Sequence, residues 1–275
     1  MINFDLITEQ IEASKASEKI KTTKQKLEFG ITHEQVTIST EPQAKLLQKA
    51  KGRYEMLTLN HSHLNSRTVS NYCIQKLAEI IKTFIADTKA KPRKSICVVG
   101  LGNSSLIADS LGARVTNNLL ITRNMPDFSP KEFGLLSAFT PGVLGANGIE
   151  TFDIITGIIE KTKPDVLLII DSLCASSPAR LGNCFQASDT GITPGAGVDN
   201  AQKGLSFQAL KTPVIAIGVP LMIYAHTLCD GSKPKHTESL IVTPKEIDLY
   251  IKTCSHIISN AINLAVHGNE CFNFL

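Results

Sequence analysis

Carboxylates that arrive at the end of a buried strand are candidates for acid–base chemistry, and this chain has two of them. The apolar run Ser95-Ile-Cys-Val-Val-Gly-Leu-Gly-Asn103 leads through a short loop to Asp109, and Asp165-Val-Leu-Leu-Ile-Ile170 ends directly at Asp171. Close carboxylates do not both ionise easily, so one keeps a proton while the other stays charged. The protonated one can then act as general acid and the charged one as a base for water. The competing assignment makes each aspartate a cap for the segment that follows it. Residue types alone leave both assignments open.

Other chemistries find less support. Gly100-Leu-Gly-Asn-Ser-Ser105 starts like a dinucleotide fingerprint, but Ser105 stands where the third glycine belongs and no acidic residue ends a second strand at the expected distance. Its glycines are better explained by a sharp turn that leaves room for a ligand. Pro194-Gly-Ala-Gly197 is either a tight turn beside the same edge or an anion cradle built from backbone N–H groups. Cys174, three residues past Asp171, is a candidate nucleophile, whereas Cys97 reads as a small core residue. Asp109, Asp171 and His226 are all possible metal ligands. His226, His256 and His267 share no ligand spacing, however, and neither metal nor cofactor is expected. Serine hydrolysis lacks both a GxSxG element and a histidine partner for Ser172.

The elements that must position the aspartates follow from periodicity. Continuous Val/Ile/Leu runs are strands buried on both faces, and Pro213-Val-Ile-Ala-Ile-Gly-Val-Pro220 is a third such run. Helical spacing predicts helices over 65–86, 110–117, 149–162 and 244–266, with Thr151 able to cap the third. Shorter strands are expected over 31–39, after a turn at Gly52, and over Leu119-Leu-Ile-Thr122. Strands alternating with helices imply an α/β fold of three layers, a parallel or mixed sheet with helices on both faces. One domain over residues 1–275 is expected: a polar segment 1–30, a strand and helix portion 31–94 and an α/β core 95–275. In open sheets of this kind chemistry sits beyond the carboxyl ends of the strands.

Bulk properties set the limits. With 275 residues, 43% hydrophobic and 19% charged, the chain can bury a sizeable core. A net charge of +3 is too small to argue for nucleic acid, and no apolar run approaches the ~20 residues that span a bilayer. Seven scattered cysteines without a CxxC fit free thiols in a reducing cytoplasm. No secretory signal is visible at Met1-Ile-Asn-Phe-Asp5.

Around the two aspartates the sequence resembles the germination protease family, spore endopeptidases that degrade small acid-soluble spore proteins. The resemblance runs through Asp5-Leu6 with Glu9, Lys51-Gly-Arg-Tyr54, Val98-Val-Gly-Leu-Gly-Asn103, Asp109 with Leu111-Gly112, and Asn118-Leu-Leu-Ile-Thr-Arg123. It continues through Pro141-Gly-Val143, Gly148-Ile-Glu-Thr151, Ile170-Asp171, Ser188-Asp-Thr-Gly191, Pro194-Gly-Ala-Gly-Val198 and Val242-Thr-Pro-Lys-Glu-Ile-Asp248. It implies a fold related to hydrogenase maturation proteases, a homotetramer, and a zymogen made in the developing spore and trimmed at its N-terminus. It also implies peptide hydrolysis by Asp109 and Asp171. Gly102, Asn103, Gly195 and Gly197 are then expected to position the substrate backbone or an oxyanion. The alternatives are a non-catalytic, regulatory homologue and a metal-dependent processing peptidase. The chain departs from the family in having Ile107-Ala108 before the first aspartate and Ser172-Leu-Cys-Ala-Ser176, without an arginine, after the second. Only four residues precede Asp5, which leaves no room for a family-length propeptide, and the stretch from Pro220 to Val242 is short.

Overall fold

The computed structural model describes residues 4–14, 20–60, 66–88, 94–125, 133–195, 203–228 and 240–273. The strands are β1 (Lys21–Lys26), β2 (Thr32–Ile38), β3 (Gly52–Thr58), β4 (Ser95–Gly100), β5 (Leu135–Phe139), β6 (Val166–Ala175), β7 (Cys184–Ser188), β8 (Val214–Tyr224) and β9 (Ile241–Val242). The α-helices are α1 (Ile7–Ser14), α2 (Glu41–Leu47), α3 (Arg67–Asp87), α4 (Leu111–Asn117), α5 (Leu144–Asn147), α6 (Thr151–Thr162), α7 (Phe207–Leu210) and α8 (Ile247–His267).

All nine strands form one mixed sheet in the order β1-β2-β3-β7-β8-β6-β4-β5, with β9 beside β8. The β5-β4-β6-β8 part is parallel. The remainder, from β8 through β7 to β1, is antiparallel. Parallel strands buried on both faces need apolar residues at every position. β6 satisfies this from Val166 to Ile170, each fully buried. Even-numbered Val166, Leu168 and Ile170 join the larger core with α3, α4 and α8, while Leu167 and Ile169 join a second cluster with Ile155 and Ile159 of α6. The two faces are therefore covered by different helices, as a three-layer α/β fold requires.

Several expected elements differ. Residues 119–122 form no strand. The strand pairing with β4 is β5, and the 119–122 segment lies beside it, with the Thr122 and Arg123 N–H groups donating to the Leu136 carbonyl. β1, Lys-Thr-Thr-Lys-Gln-Lys, is exposed at every position and carried no apolar signal to read. Thr151 does not cap α6: the cap position is Glu150, and the Thr151 hydroxyl donates to the Gly142 carbonyl at 3.4 Å. β6 does not end at Asp171 but runs on to Ala175, because β8 continues beside it through Ile223.

Candidate active site

The chain reverses direction across the sheet at β4. From β4 it passes through α4 to β5 on one side, and it then returns through α6 to β6 on the other side. α4 packs on the α3/α8 face and α6 on the opposite one. Such a switch point opens a crevice between the carboxyl ends of the two strands. The β4–β6 ladder stops at Gly100 opposite Ile170, and the Leu101 N–H makes the final bond to the Ile170 carbonyl. Asp171 is the next residue of β6. On its β8 side it pairs with Gly218, and on its β4 side the neighbouring strand has ended. Strand alternation places it on the face of Ile169 and Leu173, where the α6 cluster adjoins a small cluster of Leu6, Met56, Leu173 and Cys184.

Asp109 reaches the same crevice by a tight loop. Two glycines let α4 close onto the end of β4: a Cβ on Gly100 would lie 2.3 Å from the Gly112 carbonyl oxygen, and one on Gly112 would lie 2.3 Å from that of Leu101. The following turn depends on Gly102, at φ +99°, where a Cβ would meet the Asp109 carbonyl oxygen at 2.2 Å and Oδ1 at 2.7 Å. The Asn103 N–H donates to Asp109 Oδ2 at 2.7 Å, and the Asn103 side-chain Oδ1 accepts from Ser105 N–H at 3.0 Å. Asp109 thus accepts a backbone bond from the preceding loop and does not cap α4, whose cap position, Ser110, makes no side-chain capping bond and donates its hydroxyl to the Ile107 carbonyl. The Gly100 and Gly102 positions serve the close helix approach and the turn.

The electrostatics separate the two carboxyls. Asp171 is 7% exposed. Burial pushes it well above the usual carboxylate range, the Asp109 and Asp5 carboxylates push it further, and the Ser172 N–H, 2.9 Å from Oδ1, opposes them. Burial also raises Asp109, but the Asn103 N–H works against it. Each carboxyl thus accepts one backbone N–H, and the stronger upward push falls on Asp171. Asp109 lines a cleft of about 720 Å³ with Asn103, Leu106, Leu144, Glu150 and Lys203. A larger groove of about 1790 Å³ runs over α3, α4 and α8 on the other face, away from both aspartates.

The remaining candidates are dispersed. Gly195 sits in a turn at φ +70°, two residues after Thr193 leaves the Ile192–Leu205 bridge. Gly197 lies outside the described residues, as does the side chain of His226. Cys174 is buried, with its thiol directed at the Ala175 carbonyl 3.8 Å away. Among the described residues no three His, Cys, Asp or Glu side chains gather as metal ligands, and no helix is long and apolar enough to cross a membrane.

Sequence reasoning gave no role to the N-terminal acids, which dock here. The Cys174 N–H donates to Asp5 Oδ2 at 2.8 Å, and the Ser176 N–H donates to both Glu9 oxygens at 2.9 and 3.0 Å. Arg180 lies 3.5 Å from Glu9 and 2.6 Å from Glu12. A guanidinium therefore stands four positions after Ser176, where the expected arginine is missing. Asp5 and Glu9 stood in the quoted motif, but nothing local connects them with residues about 170 positions away.

Fold and site together define a three-layer α/β protein with one buried and one half-buried aspartate at a switch point of its sheet. Residues 4–233 match the germination protease family, and the chain belongs to it. That is a family of peptidases. The germination protease of Caldanaerobacter subterraneus subsp. tengcongensis is 33% identical, with 87% of this chain and 86% of that protein covered. That of Bacillus subtilis is 30% identical over 97% and 94% respectively. A solved NiFe hydrogenase maturation protease, HycI from Thermococcus kodakarensis KOD1, covers 66% of this chain and 98% of its own at 18% identity. Its TM-score of 0.37 is too low to bear on fold or chemistry.

Proposed function

We propose that this germination protease hydrolyses small acid-soluble spore proteins when a spore germinates, with Asp109 as general base and Asp171 as general acid. The observation that carries the reading is the asymmetry of the pair: Asp171 is buried under the electrostatic influence of Asp109, while Asp109 is half-buried and borders an open cleft.

In this reading a water in the cleft gives a proton to the Asp109 carboxylate as its oxygen bonds to the scissile carbonyl carbon. The carbon–nitrogen bond then breaks as the Asp171 carboxyl donates its proton to the departing amine. The products are a carboxylic acid and an amine, which become carboxylate and ammonium by passing one proton between them, and the proton held on Asp109 returns to Asp171 through solvent. Asn103 spends its backbone N–H on Asp109, so its main chain supports the base and only its side-chain amide is left to offer an N–H to an oxyanion. Gly102 contributes by admitting the Asp109 carboxyl, and the Gly195–Gly197 loop contributes to positioning the substrate. The same reading carries the homotetramer and zymogen of the family and places the protein in the spore interior.

The test is incubation of the purified protein with a small acid-soluble spore protein. Discrete cleavage by the wild type that is lost in Asp109→Asn and Asp171→Asn is the expected result. An inert wild type, with the spore protein bound but intact, would favour a regulatory homologue. Activity lost to a chelator and restored by a metal would favour a metal-dependent peptidase.

A further inference from the structure

The groove of about 1790 Å³ over α3, α4 and α8 contains neither aspartate, and its charge is lopsided. Arg67 and Lys82 line it from α3, Arg114 from α4 and Lys252 from α8, and all four are exposed. Among the described residues none of the four has an ion pair, whereas Arg53 and Arg180 are each bound to two carboxylates. Glu79, the carboxylate among the described lining residues, is held by Lys76 at 2.9 Å. The net charge of +3 is therefore unevenly spread, with four unneutralised cations converging on one groove.

Length and chemistry select what could neutralise them. Arg67 and Lys82 stand fifteen positions apart on α3, roughly 22 Å at the rise of a helix. That distance passes about six phosphates of one nucleic-acid strand. Between the cations the wall carries amides and hydroxyls, among them Asn71, Asn117, Asn260, Ser70 and Thr253. Phosphate oxygens are bound by this set of groups, Arg and Lys together with Ser, Thr, Asn and Gln. No Phe, Tyr or Trp is among the described lining residues. Protein partners are anchored by aromatic residues in desolvated pockets, and unpaired bases by the aromatic faces they stack on. The wall thus suits neither an acidic protein nor a single strand. A second copy is disfavoured as well. A twofold contact sets a surface patch against itself, which would press these four cations against four more.

We infer that this groove is a docking surface for the phosphate backbone of duplex DNA, bound without regard to sequence. It is separate from the cleft beside Asp109, so the two can be occupied together. The inference is independent of the proposed peptide hydrolysis.

The test follows a fluorescent duplex of roughly 20 base pairs, mixed in sequence, by anisotropy with the full-length protein across a salt series. A dissociation constant of about 1–100 µM is expected at near-physiological salt. The logarithm of the affinity is expected to fall by about 3–4 per decade of salt, about 0.9 for each of four neutralised phosphates. Lys82→Gln, Arg114→Gln and Lys252→Gln are each expected to lower that slope by about one and to weaken every duplex alike. All three replace exposed side chains, so far-UV circular dichroism and cleavage of a spore protein are expected to be unchanged. Absence of binding at ~100 µM protein in low salt, or a slope indifferent to the three substitutions, would overturn the inference. So would displacement of the duplex by polyglutamate at equal charge, which would assign the groove to an acidic protein. A changed oligomeric state in Arg114→Gln would also overturn it, by assigning the groove to a contact between copies. A wild type that fails to cleave spore proteins would refute the proposed function and leave the binding isotherm as it stands.

Discussion

The backbone N–H of Asn103 donates to Asp109 Oδ2 at 2.7 Å, six positions before the carboxylate it serves. Hydrogen bonds to an anion favour the anion, so this loop contact opposes the burial that raises Asp109, as its proposed role of base requires. Exchanging either carboxyl for an amide removes its proton transfer and little volume. Cleavage of a spore protein by Asp109→Asn or Asp171→Asn is expected to fall about 10²–10⁴-fold, with far-UV circular dichroism unchanged.

The pH profile follows from the same asymmetry. Activity needs Asp109 charged and Asp171 protonated, so it rises as Asp109 loses its proton and falls as Asp171 loses its own. The falling limb lies well above the ordinary carboxylate range because burial, Asp109 and Asp5 all raise Asp171. In Asp109→Asn the residual activity is expected to have its alkaline limb at lower pH, measured as kcat/KM against pH, because one raising charge is gone.

Stability has a matching sign. The folded state raises Asp171 above its unfolded value, so it binds that proton more tightly than the unfolded chain does. The contribution is full below the unfolded value and is lost as pH rises through the folded one. Asp171→Asn removes the cost of burying an ionisable group. Denaturant unfolding at pH 8 is expected to show a gain on the order of 1–3 kcal/mol, shrinking toward pH 4. Equal stability of the two proteins at both pH values would count against a buried, proton-holding Asp171.

Gly102 offers a backbone test of the base. Its φ of +99° disfavours any side chain, and a Cβ would lie 2.7 Å from Asp109 Oδ1. Gly102→Ala is expected to cost about 1–3 kcal/mol of stability and to lower kcat at least tenfold by displacing Asp109. An alanine variant with wild-type kinetics would show that the loop does not hold the base.

What could be read from the sequence depended on where each element's information lies. β4, β6 and β8 stand out as unbroken apolar runs because helices cover both their faces, and α3 and α8 as helical spacing because each buries a single stripe. β1 has no buried position to reveal it. Leu119–Thr122 has the composition of a strand, but the Asn263 side chain takes the Leu120 N–H, and residues 135–139 take the place beside β4. Asp171 was visible because it follows an unbroken apolar run, and Asp109 because a short loop joins it to another. Asp5 was not, because its partner is 169 positions away and no local pattern encodes such a pairing.

The docking of residues 5–14 against β6 and β7 has a consequence during synthesis. Gln186, Arg180 and the 173–176 stretch of β6 all emerge from the ribosome long after residues 5–14, so this segment cannot dock until they do. Contacts this distant in sequence form late in folding. A nascent peptidase assembled this way has no complete site while its own unfolded chain, and others near it, would be the nearest polypeptides to cut.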